Sequence, residues 1–116
     1  MSLSSENFRY LKERGTNPER LKERYASKGK DLCILYCDPK GEPYKNSKGE
    51  NYIVCRLFPT GRPKFKAPLE SGSRPYFSSL MPDGYLEDIN IPLVLIEGPV
   101  KVDSCYEHIL TGYCFV

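Results

Sequence analysis

The 116-residue sequence predicts an α+β fold: an N-terminal helical pair, an antiparallel hairpin-rich subdomain, and the βαβ start of a parallel sheet. Three observations carry this expectation. A helical period with its own start and stop signals occupies residues 1–30. Two β-branched and aromatic runs, separated by a polar, turn-rich connection, lead a segment 31–90 that also holds a basic, proline-rich loop. An unbroken apolar run, a helical stretch and a second apolar run fill residues 91–116 as an incomplete βαβ unit. The length suits one compact domain, or a piece of a larger one, but not two independent cores.

Each element follows from local chemistry. Ser4 or Ser5 caps a helix with Phe8 and Leu11 on one face, and Gly15 ends it in the left-handed conformation. Asn17-Pro18 starts a second helix, with Leu21 and Tyr25 four apart on a shared face, and Lys28-Gly29-Lys30 closes the unit. Leu32-Cys33-Ile34-Leu35-Tyr36-Cys37 and Tyr52-Ile53-Val54-Cys55-Arg56-Leu57-Phe58 read as hairpin strands with a long mobile tip between them. The loop at 59–75 is stiffened by Pro59, Pro63 and Pro68. Tyr76-Phe77 adds a short strand. Leu93-Val94-Leu95-Ile96 reads as a strand buried on both faces, Glu97-Gly98-Pro99 as a turn, and residues 100–110 as a crossover helix whose inner face is Val102, Tyr106, Ile109 and Leu110. Tyr113 to Val116 begins a further strand, whose open edge asks for another crossover to cover it. No internal repeat or low-complexity tract is evident.

Composition narrows the function classes. Apolar residues make up 40% and charged residues 28%, which is globular rather than disordered. A net charge of +2 is too small to argue nucleic-acid binding by itself, and leaves room only for a local basic patch. No apolar stretch approaches the roughly 20 residues of a membrane helix, and the N-terminus has no signal core, so a cytoplasmic protein with no membrane partner is expected. Five cysteines without an export signal favour free thiols over a disulfide framework. Cys33 and Cys37 have a zinc-like spacing but no second close Cys or His pair, so they read as small apolar fillers.

The chemistry centres on Glu97. A carboxylate directly after an interior strand, followed by Gly98, stands at the carboxyl end of a parallel sheet, where open α/β folds place ligand sites. Gly98 leaves room for a phosphate or a metal-bound water. By pattern alone, a surface acid in a tight turn is the commoner reading.

Val94-Leu95-Ile96-Glu97-Gly98, with its helix and Gly112-Tyr113, resembles the first motif of the Toprim domain of bacterial-type primases, topoisomerases and related nucleases. Upstream, Tyr10-Leu11-Lys12-Glu13-Arg14-Gly15 resembles the "YL-x-x-RG" helix end of bacterial primases. Leu35-Tyr36-Cys37-Asp38-Pro39-Lys40-Gly41 resembles their "FP-x-x-D-x-x-G" hairpin. Cys55-Arg56-Leu57 falls at their "G-R" strand and Pro63-Lys64-Phe65 at their "P-K-Y". These pieces span almost the whole chain in order, and the nearest pattern is that of primase-like Toprim proteins of plasmids, phages and integrated elements.

The resemblance implies a metal-dependent nucleotidyl or phosphoryl transferase acting on nucleotides and single-stranded DNA, with Mg²⁺ in the intact parent and a helicase as partner or fused domain. It assigns Glu97 to the metal-dependent centre, Arg56 to a bidentate phosphate contact and Lys64 to a point-charge contact, these three forming the catalytic set. Arg62, Lys66, Arg74 and Lys101 would widen the phosphate-binding surface, although loop solvation is the commoner reading of the first three. Three departures follow. Lys101 stands where the primase motif carries an acid, and Asp103 is not placed to replace it. The zinc module that precedes many primases is missing. The second motif, "Asp-x-Asp", would lie beyond Val116, so the chain as given is expected to bind Mg²⁺ weakly and to be inactive. Two alternatives remain open: a single-stranded nucleic-acid-binding module stacking bases on Phe65, Tyr76 and Phe77, and a degenerate remnant without a ligand.

Overall fold

The computed structural model describes residues 2–58, 64–109 and 112–116. Helix α1, Ser5–Glu13, starts at Ser4, whose hydroxyl accepts the amide proton of Asn7. Leu11 is fully buried. Gly15, at φ +85°, closes the helix, and a Cβ there would lie 2.9 Å from both His108 Nε2 and Ser104 Oγ. The missing side chain is therefore what lets the end of α1 approach the later helix.

Asn17 and Pro18 do start a helix, but it is one 3-10 turn, Pro18–Leu21. The chain then becomes β1, Tyr25–Lys28, paired antiparallel with β2, Asp31–Leu35, with Tyr25 opposite Ile34. The expected helical pair is thus one α-helix and a tight turn. Leu21 and Tyr25 are both buried as their spacing suggests. A two-residue Gly29-Lys30 loop, however, lets residues 25–28 satisfy their backbone against β2, and sheet pairing overrides a weak helical propensity.

The predicted hairpin forms between β2 and β3, Ile53–Arg56. A fourth strand, β4, Phe65–Lys66, comes from the proline-rich loop and places Phe65 opposite Arg56. The sheet order is β1-β2-β3-β4. Its inner face carries Leu32, Ile34, Tyr36, Val54 and Tyr52 into the core.

The connection between β2 and β3 corrects the sequence reading, because it is an eight-residue repeat. Tyr36-Cys37-Asp38-Pro39-Lys40-Gly41-Glu42-Pro43 is followed by Tyr44-Lys45-Asn46-Ser47-Lys48-Gly49-Glu50-Asn51, and then by Tyr52. Both copies close identically. Asp38 Oδ1 accepts from the amides of Lys40 and Glu42 at 2.8 and 3.0 Å, and Asn46 Oδ1 from those of Lys48 and Glu50 at 2.9 and 3.0 Å. The three tyrosines form a ring of backbone bonds: Tyr36 N–H donates to Tyr52 at 3.1 Å, Tyr52 to Tyr44 at 2.7 Å, and Tyr44 to Tyr36 at 3.0 Å. Substitution of half the positions hides this period from a reading by hydrophobicity.

The last third forms β5, Leu93–Val94, helix α2, Pro99–His108, and β6, Cys114–Phe115. β5 and β6 pair in parallel, Leu93 opposite Cys114 and Val94 opposite Phe115. β5 is not buried on both faces: Leu93 and Leu95 are 54% and 78% exposed, while Val94 and Ile96 pack against the core. A two-stranded sheet covered on one side by α2 can bury only alternate residues. Helix α2 buries Val102 and Tyr106 as predicted, but it ends at His108 and leaves Ile109 42% exposed; Leu110 lies outside the described residues. Tyr76-Phe77 is extended and buried, and pairs with no strand among the described residues. No helix of the described residues is long and apolar enough to cross a membrane.

Asp103 fastens α2 to the rest. It is fully buried and accepts hydrogen bonds from Tyr25 (2.6 Å), Tyr76 (2.8 Å) and Ser78. Burial pushes its carboxyl above the usual range, opposed first by the Ser78 hydrogen bond. Arg24 closes this region by donating to the carbonyl of Phe77 at 2.9 Å.

Candidate phosphate-binding site

A cavity of ≈ 950 Å³ opens between α1, the inner sheet face and the start of α2. One wall is Tyr10 of α1 and Arg14, the residue at its C-terminal cap, with the Arg14 guanidinium carbon 5.2 Å from the Tyr10 ring centre. Lys64 and Phe65 from the β4 segment form a second wall. The β5–α2 turn supplies a third through Glu97, Gly98 and Lys101. Tyr36 lies at the floor, where burial first, and then Tyr52 and Asp103, push its hydroxyl up to about 12.

The turn is the distinctive part. Gly98 caps α2 at φ +96°, a conformation that disfavours any residue with a side chain, and it supplies no side-chain capping bond. Pro99 occupies the first turn. The start of α2 therefore faces the cavity with amides that no cap side chain engages, and helix starts favour negative charge. A second, smaller cavity of ≈ 310 Å³ flanks the same Gly98-Pro99 turn and includes Arg74 in its lining.

The residues singled out in the sequence divide accordingly. Glu97, Lys64 and Lys101 meet at the large cavity. Glu97, Lys64 and Lys101 are solvent-exposed at its rim. Arg74 belongs to the neighbouring cavity, with its guanidinium 5.8 and 5.9 Å from the Tyr44 and Tyr52 ring centres. Lys66 sits opposite Cys55, so strand alternation turns it to the sheet face away from Phe65. Arg62 lies outside the described residues.

Arg56 is placed differently from a free phosphate contact. It is 4% exposed, its Nε donates to the Tyr10 hydroxyl at 2.9 Å, and its guanidinium carbon lies 4.5, 5.3 and 5.6 Å from the ring centres of Phe58, Tyr10 and Phe65. Its Nη1 has no hydrogen-bond partner among the described residues. Two of these rings, Tyr10 and Phe65, also line the cavity. Arg56 thus stands behind the wall and holds two of its faces together through cation–π contact.

Tyr10 and Arg14 were not named as site residues from sequence, although both belong to the string that resembles the primase helix end. Their signal was the four-residue spacing, which puts them on one helix face beside the buried Leu11. Asp103 points into the core rather than into the cavity. Tyr76 and Phe77 are 5% and 9% exposed and so lack free faces for stacking.

Comparison with protein-family models, curated proteins and solved structures returns no match. The resemblance therefore rests on the strings quoted above.

Proposed function

We propose that this chain comes from a primase-like Toprim replication protein of a mobile element, and that its cavity binds the phosphates of nucleotides or single-stranded DNA. The observation that carries this reading is the convergence of Lys64, Lys101 and Arg14 on one cavity at the uncapped start of α2. Three cations beside a helix start form an anion site, and a volume of ≈ 950 Å³ accommodates a nucleotide-sized ligand. Phe65 offers a half-buried ring beside the cations for a base. Glu97 is suited to accept hydrogen bonds from a sugar hydroxyl or a base amino group.

The parent enzyme implied by the resemblance uses Mg²⁺. Glu97 is the one carboxylate among the described residues lining the cavity, and no group of three His, Cys, Asp or Glu among the described residues could hold a metal ion. Mg²⁺ binds through carboxylates together with substrate phosphates, so these residues do not fit a tight site, and no chemical step is assigned to them. The stacking module remains the second reading, with Phe65 as its one accessible ring of the three proposed.

Equilibrium binding of a labelled single-stranded oligonucleotide, with a nucleoside triphosphate as competitor, tests the reading. Wild type should bind at low salt and weaken as salt rises; the double variant Lys64→Ala, Lys101→Ala should bind at least about tenfold more weakly, with the log–log salt slope reduced by about 1.4 for two lost single-strand contacts. No binding by folded wild type at low salt, or an unchanged slope in the variant, would refute it.

A further inference from the structure

The Cys33 and Cys55 sulfurs lie 3.1 Å apart on adjacent strands. Their residues are direct partners in the antiparallel β2–β3 register. The hydrogen-bond phase of β2 fixes the kind of pair. Leu35 N–H donates outward to Arg24 beyond β1 at 2.7 Å, whereas Tyr36 N–H donates to Tyr52 on the β3 side at 3.1 Å. Amides of even-numbered β2 residues therefore face β3, and Cys33 meets Cys55 at a non-hydrogen-bonded position. Such positions bring Cα atoms to about 4.5 Å, within the range a disulfide spans. Bond formation needs the sulfurs to close by about 1 Å.

Both thiols project from the sheet face opposite the aromatic core, in a cross-strand row with Ala26 and Lys66. All five cysteines are free, and Cys33 and Cys55 are the two whose sulfurs approach each other. Cys33 is buried and Cys55 half-buried, so a reagent meets Cys55 first. Burial first, then the Cys55 thiol, pushes the Cys33 thiol up to about 12.

We propose that Cys33 and Cys55 form a reversible cross-strand disulfide by exchange with a low-molecular-weight disulfide of the glutathione class. The Cys55 thiolate attacks one sulfur of that reagent, giving a mixed disulfide and one small thiolate. Cys33 then gives its proton to solvent and attacks the Cys55 sulfur, releasing the second small thiolate. Two protein thiols are oxidised and one small disulfide is reduced to two thiols. The product ties β2 to β3 one residue from Arg56, without entering the core.

Peptide mapping by mass spectrometry, after incubating the full chain with oxidised glutathione and alkylating remaining thiols, reads this directly. The expected result is one dominant linkage, Cys33 to Cys55, with a loss of two hydrogens that dithiol reductant restores and that denaturation before oxidation abolishes. Cys55→Ser should leave Cys33 unlinked and alkylatable on denaturation. Circular dichroism confirms that each sample is folded. If folded wild type keeps both thiols alkylatable, stops at a mixed disulfide on Cys55, or links another pair among Cys37, Cys105 and Cys114, the proposal is overturned.

Discussion

The antiparallel sheet and the β5–α2–β6 unit secure themselves by different means. In the sheet, strand alternation suffices: Leu32, Ile34 and Val54 point into one core, and their neighbours along the strands, Cys33 and Cys55, face the other side. The β5–α2–β6 unit has two short strands and leaves Leu93 and Leu95 exposed on one. Polar side chains add to the apolar contacts of Val102, Tyr106 and Phe115, some reaching across the molecule and one within the unit. Asp103 gathers three hydroxyls, Arg20 pairs with Glu107 at 3.0 Å, and the Tyr106 hydroxyl accepts the Phe115 amide at 2.7 Å. Of these bonds the three to Asp103 are the buried ones that gather separate segments on one acceptor, and so the costliest to remove.

The largest test of that contrast is Asp103→Ala. It leaves the Tyr25, Tyr76 and Ser78 hydroxyls without their shared acceptor and should lower stability by about 3–5 kcal/mol in denaturant unfolding. A change below about 1 kcal/mol would remove the network from the account. Gly15→Ala comes next. The left-handed backbone costs about 1–2 kcal/mol and the new methyl crowds Ser104 and His108, so a loss of about 2 kcal/mol is expected, with α2 loosened in hydrogen exchange.

A pH dependence is smaller and has a definite sign. Because burial raises the folded Asp103 carboxyl above its ordinary 3.8, the folded state holds that proton more firmly than the unfolded chain. The contribution is fully present below the ordinary value and is lost as pH rises through the raised one. Comparing Asp103→Asn with wild type across this interval isolates it: the variant should lack this component. At the small end, Leu95→Lys should change unfolding free energy by no more than about 0.5 kcal/mol, since that side chain is already 78% exposed.

How much of this was legible follows from where the determining contacts lie. Local ones were readable: the Ser4 cap, the Gly15 stop, the β2–β3 pairing and α2. Tyr25 was not, because its place in β1 depends on a partner strand nine residues on, while its spacing from Leu21 fits a helix equally well. Leu93 and Leu95 misled for a related reason, since an apolar run reports what a strand could bury and not what covers it. Glu97, Lys64 and Lys101, singled out along the motif strings, line one cavity. The ring cage of Arg56 was hidden, as it needs Tyr10, Phe58 and Phe65 from three separate segments.

The central claim is that phosphate groups settle at the start of α2. Two-dimensional NMR during titration with a nucleoside triphosphate tests it most directly. The account predicts progressive shifts of the Gly98, Val100 and Lys101 amides, lost in Lys64→Ala, Lys101→Ala. Shifts confined to the lysine-bearing repeat loops around Lys40 and Lys48, with the α2 amides unmoved, would contradict it.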